Sequence, residues 1–192
     1  MTRKISLFTA LLVCFFAFYP ILTHGQENDD TTGDITRSGT LPTGFMNINL
    51  GMSMAEVRQE LAENPYFDYR GEPDVSMLLT RNQHLIETAG RSFIRKAYFQ
   101  FYEDRLFIIT LVLNPERIDF FTMYTNFEER FDRPIRIDPS GAFWENNEVS
   151  LSIERPVTIK YMDRRVLDRL AAERREVEDR SRRIKEEFLN LF

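Results

Sequence analysis

The sequence is short of the residues that enzymes and metal sites most often use. It contains one cysteine, Cys14, and two histidines, His24 and His84. Cys14 and His24 lie in the first 25 residues, which we predict to be removed, so the remaining chain keeps His84 alone. A Cys–His nucleophile and a histidine-rich zinc site are then excluded. A Ser-His-Asp triad would have to use His84.

The sequence also has no glycine-rich cluster and no excess of basic over acidic residues. The eight glycines are scattered, no phosphate-binding loop is formed, and no G-x-S-x-G motif is present. Acidic residues outnumber basic ones, 30 to 25, for a net charge of −5. An acidic chain is a poor match for nucleic acid or for anionic lipid. We therefore expect no nucleic-acid partner, no cofactor and no bound metal.

Residues 1–25 predict a secretory signal peptide. Arg3 and Lys4 precede an apolar run over residues 5–22, and a small residue, Gly25, marks the predicted cleavage site. Cleavage would leave no membrane span, although an uncleaved anchor is the alternative because the run is near the lower length for a span. Cys14 follows Val13, which is not small, so we interpret it as part of the apolar run and not as a lipidated cysteine.

Residues 26–44 are polar and rich in turn formers, and they predict a disordered linker. Removal of Arg3 and Lys4 with the signal leaves 23 basic and 30 acidic residues, a net charge of −7. Apolar residues make up 43% of the chain, which is enough for one compact core. We place the folded domain at residues 45–162 and a charged C-terminal helix at 163–192.

The first firm helix signal begins at Ser53. Ser53 and Glu56 have the spacing of a capping box, and Met52 and Val57 have the spacing of a hydrophobic staple. The helix should end by Asn64, because the proline that follows disfavours helical geometry at that residue.

This helix carries a family resemblance. The pattern Gly51, Met52, Ser53, Val57 and Leu61 resembles the first helix of the SmpA/OmlA (BamE)-like bacterial envelope domains. The resemblance covers about a dozen residues, and the Gly-x-Pro that often follows in that family is absent here. It implies a small helix-then-sheet fold in the periplasm and carries over no functional residue.

Strand patterns follow the helix. Residues 93–102 and 106–113 predict a hairpin, whose second strand is apolar on both faces and therefore central in a sheet. Residues 118–131 predict a second helix with aromatic residues at helical spacing. Shorter strands are predicted at 45–50, 66–70, 77–81, 84–88, 135–137, 142–145, 149–153 and 157–161.

The order of these elements suggests a duplication. The pattern of residues 45–115 indicates a helix followed by about three strands, and that of residues 116–162 indicates a helix followed by three or four strands. Tandem halves of this kind also occur in beta-lactamase-inhibitor-protein-like folds, which the pattern resembles. We predict an α+β fold in which two helices pack on one face of an antiparallel sheet. The other face would then be available for binding.

The C-terminal segment is highly charged. Residues 163–192 contain 17 charged side chains and no proline or glycine, which predicts a long helix. Leu170, Val177, Ile184 and Leu191 recur every seven residues, but polar residues lie between them. The segment is either a solvated helix that docks only its ends or a helix for partner binding or self-association. Its apolar end contains Phe188, Leu191 and Phe192.

Two segments predicted to be exposed loops have the composition of interface anchors. One contains Tyr69, Arg70, Glu72 and Asp74, and the other contains Trp144. Each can equally be local turn chemistry over a core aromatic. Together with Phe188, Leu191 and Phe192, they form the predicted partner-binding set.

These observations predict an exported, non-catalytic binding or assembly protein of the bacterial cell envelope, periplasmic or secreted. The expected partner is a protein or another envelope component. One alternative is a glycan hydrolase that pairs Glu72, Asp74 or Glu145 with a second acid. The other is a structural homo-oligomer formed through residues 163–192.

Overall fold

The structure is a computed structural model that describes residues 40–77 and 82–192. All of these residues belong to one compact unit, Ser38–Phe192. The predicted signal peptide with Cys14, linker residues 26–39 and part of the strand predicted at 77–81 lie outside the described residues. In the described parts of the chain, no helix is long and apolar enough to cross a membrane.

The described residues form three α-helices and eleven strands. The helices are α1 (Met54–Glu63), α2 (Phe120–Phe131) and α3 (Arg164–Leu189), and a short 3-10 helix spans Glu72–Asp74. The strands are β1 (Gly44–Phe45), β2 (Ile48–Asn49), β3 (Phe67–Asp68), β4 (Val75–Met77), β5 (Gln83–Gly90), β6 (Ile94–Tyr102), β7 (Arg105–Leu113), β8 (Arg136–Asp138), β9 (Gly141–Glu145), β10 (Val149–Glu154) and β11 (Thr158–Asp163).

Nine of the strands form one antiparallel sheet. Their order is β3-β5-β6-β7-β11-β10-β9-β8, and β4 pairs with β5 beside β3. The remaining two strands, β1 and β2, form a separate hairpin. The α+β class, the large antiparallel sheet and the long C-terminal helix are therefore confirmed.

The predicted order of a helix followed by strands recurs in both halves, although five described strands follow the first helix where about three were predicted. In the first half α1 is followed by β3 to β7, and in the second half α2 is followed by β8 to β11. Each half runs from one edge of the sheet to its centre, where β7 and β11 pair antiparallel with Thr110 opposite Lys160. The long apolar strand predicted to be central is β7, and most of its side chains are buried on both faces.

Both short helices pack on one face of the sheet, as predicted. Val57 and Leu61 of α1 and Phe127 of α2 are buried in one continuous core. The sheet contributes alternate residues of each strand, such as Phe99 of β6 and Leu151 of β10. The same alternation sends the intervening residues of β6, β7, β11 and β10 to the second face.

Side-chain caps fix where the helices begin. The Ser53 amide donates to the Glu56 carboxylate (2.7 Å) and the Glu56 amide donates to Ser53 Oγ (3.3 Å), so the predicted capping box is confirmed. The Ser53 hydroxyl also donates to the Glu56 carboxylate at 2.7 Å, and this bond, together with the bond from the Ser53 amide, lowers the pKa of Glu56. Asp119 caps α2 by accepting from the Thr122 amide at 2.8 Å. The second helix therefore begins at Phe120, slightly later than predicted.

Two boundaries at the start of the domain are corrected. The single strand predicted at 45–50 is wrong, because the chain turns at Met46, whose φ is 54°, and pairs Phe45 with Ile48. The linker boundary at residue 44 is too late, because Leu41 is buried in the core.

Candidate functional site

The second face of the sheet carries a row of residues that we call the polar ladder. Its members lie directly opposite one another on neighbouring strands, in the sheet order β5-β6-β7-β11-β10-β9-β8. In order across the sheet they are Glu87, Tyr98, Thr110, Lys160, Ser152, Phe143 and Arg136.

The centre of the polar ladder is buried, and Lys160 and Ser152 have partners within the sheet. Thr110 and Lys160 are each 8% exposed, and Ser152 is fully buried. The Lys160 ammonium forms an ion pair with Glu154, and the Ser152 hydroxyl donates to the same carboxylate at 3.1 Å. Buried charges require such partners. These side chains stabilise the sheet and present little accessible area to a ligand.

One end of the second face is covered by α3. Val166, Leu167 and Leu170 of α3 pack against a small apolar cluster on the sheet. That cluster consists of Tyr102, Phe107 and Ile108. The Tyr102 phenol donates to Glu173 at 3.2 Å. The first two to three turns of α3 are therefore docked on the body.

The rest of α3 extends beyond the sheet. Every residue from 171 to 192 is exposed. The apolar residues Val177 (62%), Ile184 (59%), Phe188 (58%) and Leu191 (77%) lie at heptad spacing and continue the docked row of Leu167 and Leu170. We call these four residues the free stripe. The alternative in which α3 docks both of its ends on the body is wrong, because the described contacts with the body involve only its first turns.

The loop around Arg70 is held by local contacts. Asp74 is 5% exposed and accepts from the Arg70 guanidinium at 3.0 and 2.6 Å and from the Arg70 amide at 3.0 Å. Glu72 pairs with Arg58 of α1 at 3.0 Å. Tyr69 is half-buried against the core, and burial raises the pKa of its phenol. These four predicted contact residues thus serve the turn and its attachment to α1.

Trp144 occupies a different environment from the one predicted. It lies in β9, is 2% exposed, and donates from Nε1 to the Asp132 carbonyl at 2.8 Å. Its ring packs edge-on against Phe127 with centroids 5.8 Å apart. The expectation of an exposed loop is therefore wrong, because the polar indole edge is satisfied inside the core. By contrast, Phe188, Leu191 and Phe192 are exposed as predicted.

The acids considered for hydrolysis are each paired with an arginine. Glu72 pairs with Arg58, Asp74 with Arg70, and Glu145 with Arg164. Glu72 and Asp74 precede β4, which lies six strand spacings from β9 in the sheet, or about 29 Å. Paired glycosidase carboxylates lie about 5 to 10 Å apart. Glu145 therefore cannot act together with either of the other two acids.

The described residues contain no group of three or more histidine, cysteine or acidic side chains placed to hold a metal. Two features were not predicted as sites: the polar ladder, which depends on non-local strand pairing, and the inclusion of Val177 and Ile184 in the free stripe. The seven-residue spacing was the signal for the second feature.

One family model, described as the TP0088 domain, matches residues 43–173. No curated protein matches the chain. No solved structure matches it. The matched region contains the complete described sheet, α1, α2 and the docked part of α3, and it ends at Glu173, where α3 leaves the body.

Proposed function

The chain belongs to the TP0088 domain family, and from this premise we propose that it is a non-catalytic, exported binding protein of the bacterial cell envelope. In this proposal the matched domain is a rigid body, and α3 is an arm that carries the contact surface. The partner is a protein that covers the free stripe.

The exposed free stripe is the observation that carries the proposal. Protein helices gain most of their stability from the packing of an apolar face, and exposed apolar rows usually mark contact sites. Val177, Ile184, Phe188 and Leu191 are all more than half exposed. A binding partner would remove these side chains from water and stabilise the helix.

Other observations support the remaining parts of the proposal. Export is supported by the charged and apolar pattern of residues 1–25. A non-catalytic role is supported by the arginine pairing of Glu72, Asp74 and Glu145 and by the distance between the two ends of the sheet that carry them.

A photo-crosslinking residue placed at Ile184 of the full chain, expressed in cells, tests the contact surface. The matched control is the same residue at Glu186, which lies about 200° away around the helix. We expect protein adducts at position 184 and few at position 186. Equal labelling at both positions, or none at either, would refute the proposed surface.

Export has its own test. A C-terminally tagged full chain should be recovered from the envelope or the medium, with a new N-terminus at Gln26. Recovery of the intact chain from the cytoplasm would refute export and leave the contact surface to the crosslinking experiment.

A further inference from the structure

We propose that the free stripe is covered by the free stripe of a second copy of this chain, and that the two α3 helices run antiparallel. The facing pair nearest the symmetry axis is Ser181 and the partner's Ile184. This inference rests on the proposed function and names the partner. It follows from the apolar spacing, the flanking charges and the length of the free segment, by which we mean residues 174–192.

The apolar spacing defines the contact positions. In heptad terms Leu170, Val177 and Ile184 occupy d positions, and Phe188 occupies an a position together with Arg174 and Ser181. Leu191 continues the d spacing in the turn that follows the last helical residue, Leu189. In an antiparallel pair each a position faces a d position of the partner. Val177 then faces the partner's Phe188, and the two polar a positions, Ser181 and Arg174, face the partner's Ile184 and Leu191.

The flanking charges favour this arrangement. Glu178 and Lys185 lie on one side of the stripe, and Arg180 and Glu187 lie on the other. In the antiparallel register Glu178 faces the partner's Lys185, and Arg180 faces the partner's Glu187. Symmetry repeats both pairs, so the interface has four attractive contacts at its edges.

The alternative arrangements place like charges together. In a parallel pair Arg180 would face the partner's Lys185, and Glu173 would face the partner's Glu178. An antiparallel pair shifted by one heptad brings Arg180 against the partner's Arg180, or Glu187 against the partner's Glu187, depending on the direction of the shift. Like charges in contact are destabilising. Charge therefore selects one orientation and one register.

The length of the free segment selects the same register. With Ser181 facing the partner's Ile184, Phe192 reaches the partner's Glu173, which is where α3 docks on the body. A shift one heptad further would place Leu191 over the partner's Leu167, which is already packed on Phe107 and Ile108. The free segments therefore overlap along their whole length, about 27 Å.

The exposed ion pairs within α3 do not oppose this assembly. Arg180 contacts Glu176 at 3.1 Å, with both side chains more than 60% exposed. Such a pair contributes little to stability and can exchange for a contact with the partner's Glu187. The resulting dimer is closed by a two-fold axis, and each copy buries the same surface.

Sedimentation equilibrium of residues 26–192 tests the assignment with charge reversals. Glu178→Lys and Lys185→Glu should each weaken dimerisation about tenfold, because two edge pairs become repulsive. The double variant should restore the wild-type dissociation constant to within about twofold. Glu186→Lys is the matched control, since it makes the same charge change away from the stripe, and it should leave the constant unchanged.

The same two single variants distinguish antiparallel from parallel helices. If Glu178→Lys or Lys185→Glu tightens the dimer, the helices are parallel and the antiparallel assignment is overturned. Ile184→Asp in residues 26–192 should give monomers, and the near-ultraviolet circular-dichroism signal of Trp144, which is buried in the body, should be unchanged. Dimers that survive Ile184→Asp would show that another surface associates and would also overturn the proposal.

The two proposals fail separately. A wild-type chain that stays monomeric at every concentration overturns the self-association. If residue 184 nevertheless crosslinks to a different protein in cells, the free stripe is a contact surface as proposed, and its partner is that other protein. If position 184 forms no adduct and the chain is monomeric, both proposals are refuted.

Discussion

The phenolic O–H of Tyr102 donates to the Glu173 carboxylate at 3.2 Å, and this bond marks the place where α3 separates from the sheet. Before Glu173, Leu167 and Leu170 are packed on the body. After it, every residue is exposed. The apolar row of α3 therefore has two parts: Leu167 and Leu170 contact the body, and the free stripe is exposed. The family match also ends at Glu173.

Tyr102→Phe should loosen the docked turns of α3 without unfolding the body. Loss of one hydrogen bond at a partly buried site costs about 1 kcal/mol. We expect amide hydrogen exchange to rise about fivefold in residues 164–173 and to stay unchanged in β7. The control is Tyr98→Phe, which removes a hydroxyl from the same face of β6. An equal rise in both variants would contradict a specific role for the Tyr102–Glu173 bond.

The burial of Tyr161 predicts that the folded chain loses stability at high pH. Its burial raises the pKa of the phenol to about 12, although the positive charge of Arg130 acts in the opposite direction. The folded chain therefore keeps the proton while the unfolded chain releases it near pH 10. The stabilising contribution is fully present below about pH 10 and is lost as the pH rises to about 12, a change of about 3 kcal/mol.

Urea unfolding of wild type and Tyr161→Phe measures this effect. The variant cannot ionise at position 161, so its free energy of unfolding should fall less steeply than that of the wild type between about pH 10 and 12. Other tyrosines with raised pKa values, such as Tyr102 and Tyr124, remain in both proteins and cancel in the comparison. Parallel curves for the two proteins would refute the assignment.

Local patterns predicted the elements that depend on neighbouring residues. The spacing of Ser53 and Glu56 located α1 because a capping box is complete within four residues. The hairpin of β6 and β7 was visible because its strands alternate around a short turn. The length and charge of α3 were equally evident from the absence of helix-breaking residues.

Non-local contacts could not be predicted in the same way. The pairing of β7 with β11 joins strands from opposite halves of the chain, and only this pairing places Thr110 beside Lys160. Trp144 was misplaced because its burial depends on packing against Phe127 of α2 and on a hydrogen bond to the Asp132 carbonyl, and no local pattern reveals either contact. The turn at Met46 was missed because its positive φ occurs at a residue that seldom adopts it.

The N-caps of the two short helices can be compared directly. Ser53→Ala removes one acceptor and half of a reciprocal pair, and Asp119→Ala removes the acceptor for the Thr122 amide. Each should lower the free energy of unfolding by about 1 kcal/mol. Ser53→Thr, which retains a hydroxyl that can accept from the Glu56 amide and donate to the Glu56 carboxylate, should recover most of that loss. Denaturant unfolding at neutral pH provides the measurement, and an unchanged Ser53→Ala would contradict the capping role.

The Asp74 carboxylate holds the loop around Arg70 in place. Asp74 has a nearly buried carboxylate that accepts three hydrogen bonds from Arg70, two from the guanidinium and one from the backbone amide. Asp74→Ala leaves that amide without its acceptor, so the free energy of unfolding should fall by about 1 to 3 kcal/mol.

Glu72→Ala provides the contrast, because the Glu72 side chain is 78% exposed and its ion pair with Arg58 lies at the surface. Surface pairs of this kind contribute about 0 to 1 kcal/mol, so the variant should unfold nearly as the wild type does. Dimerisation should be unaffected in both variants, because the loop is attached to α1 and not to α3. A large loss of self-association in Glu72→Ala, with stability retained, would instead establish the loop as the contact surface.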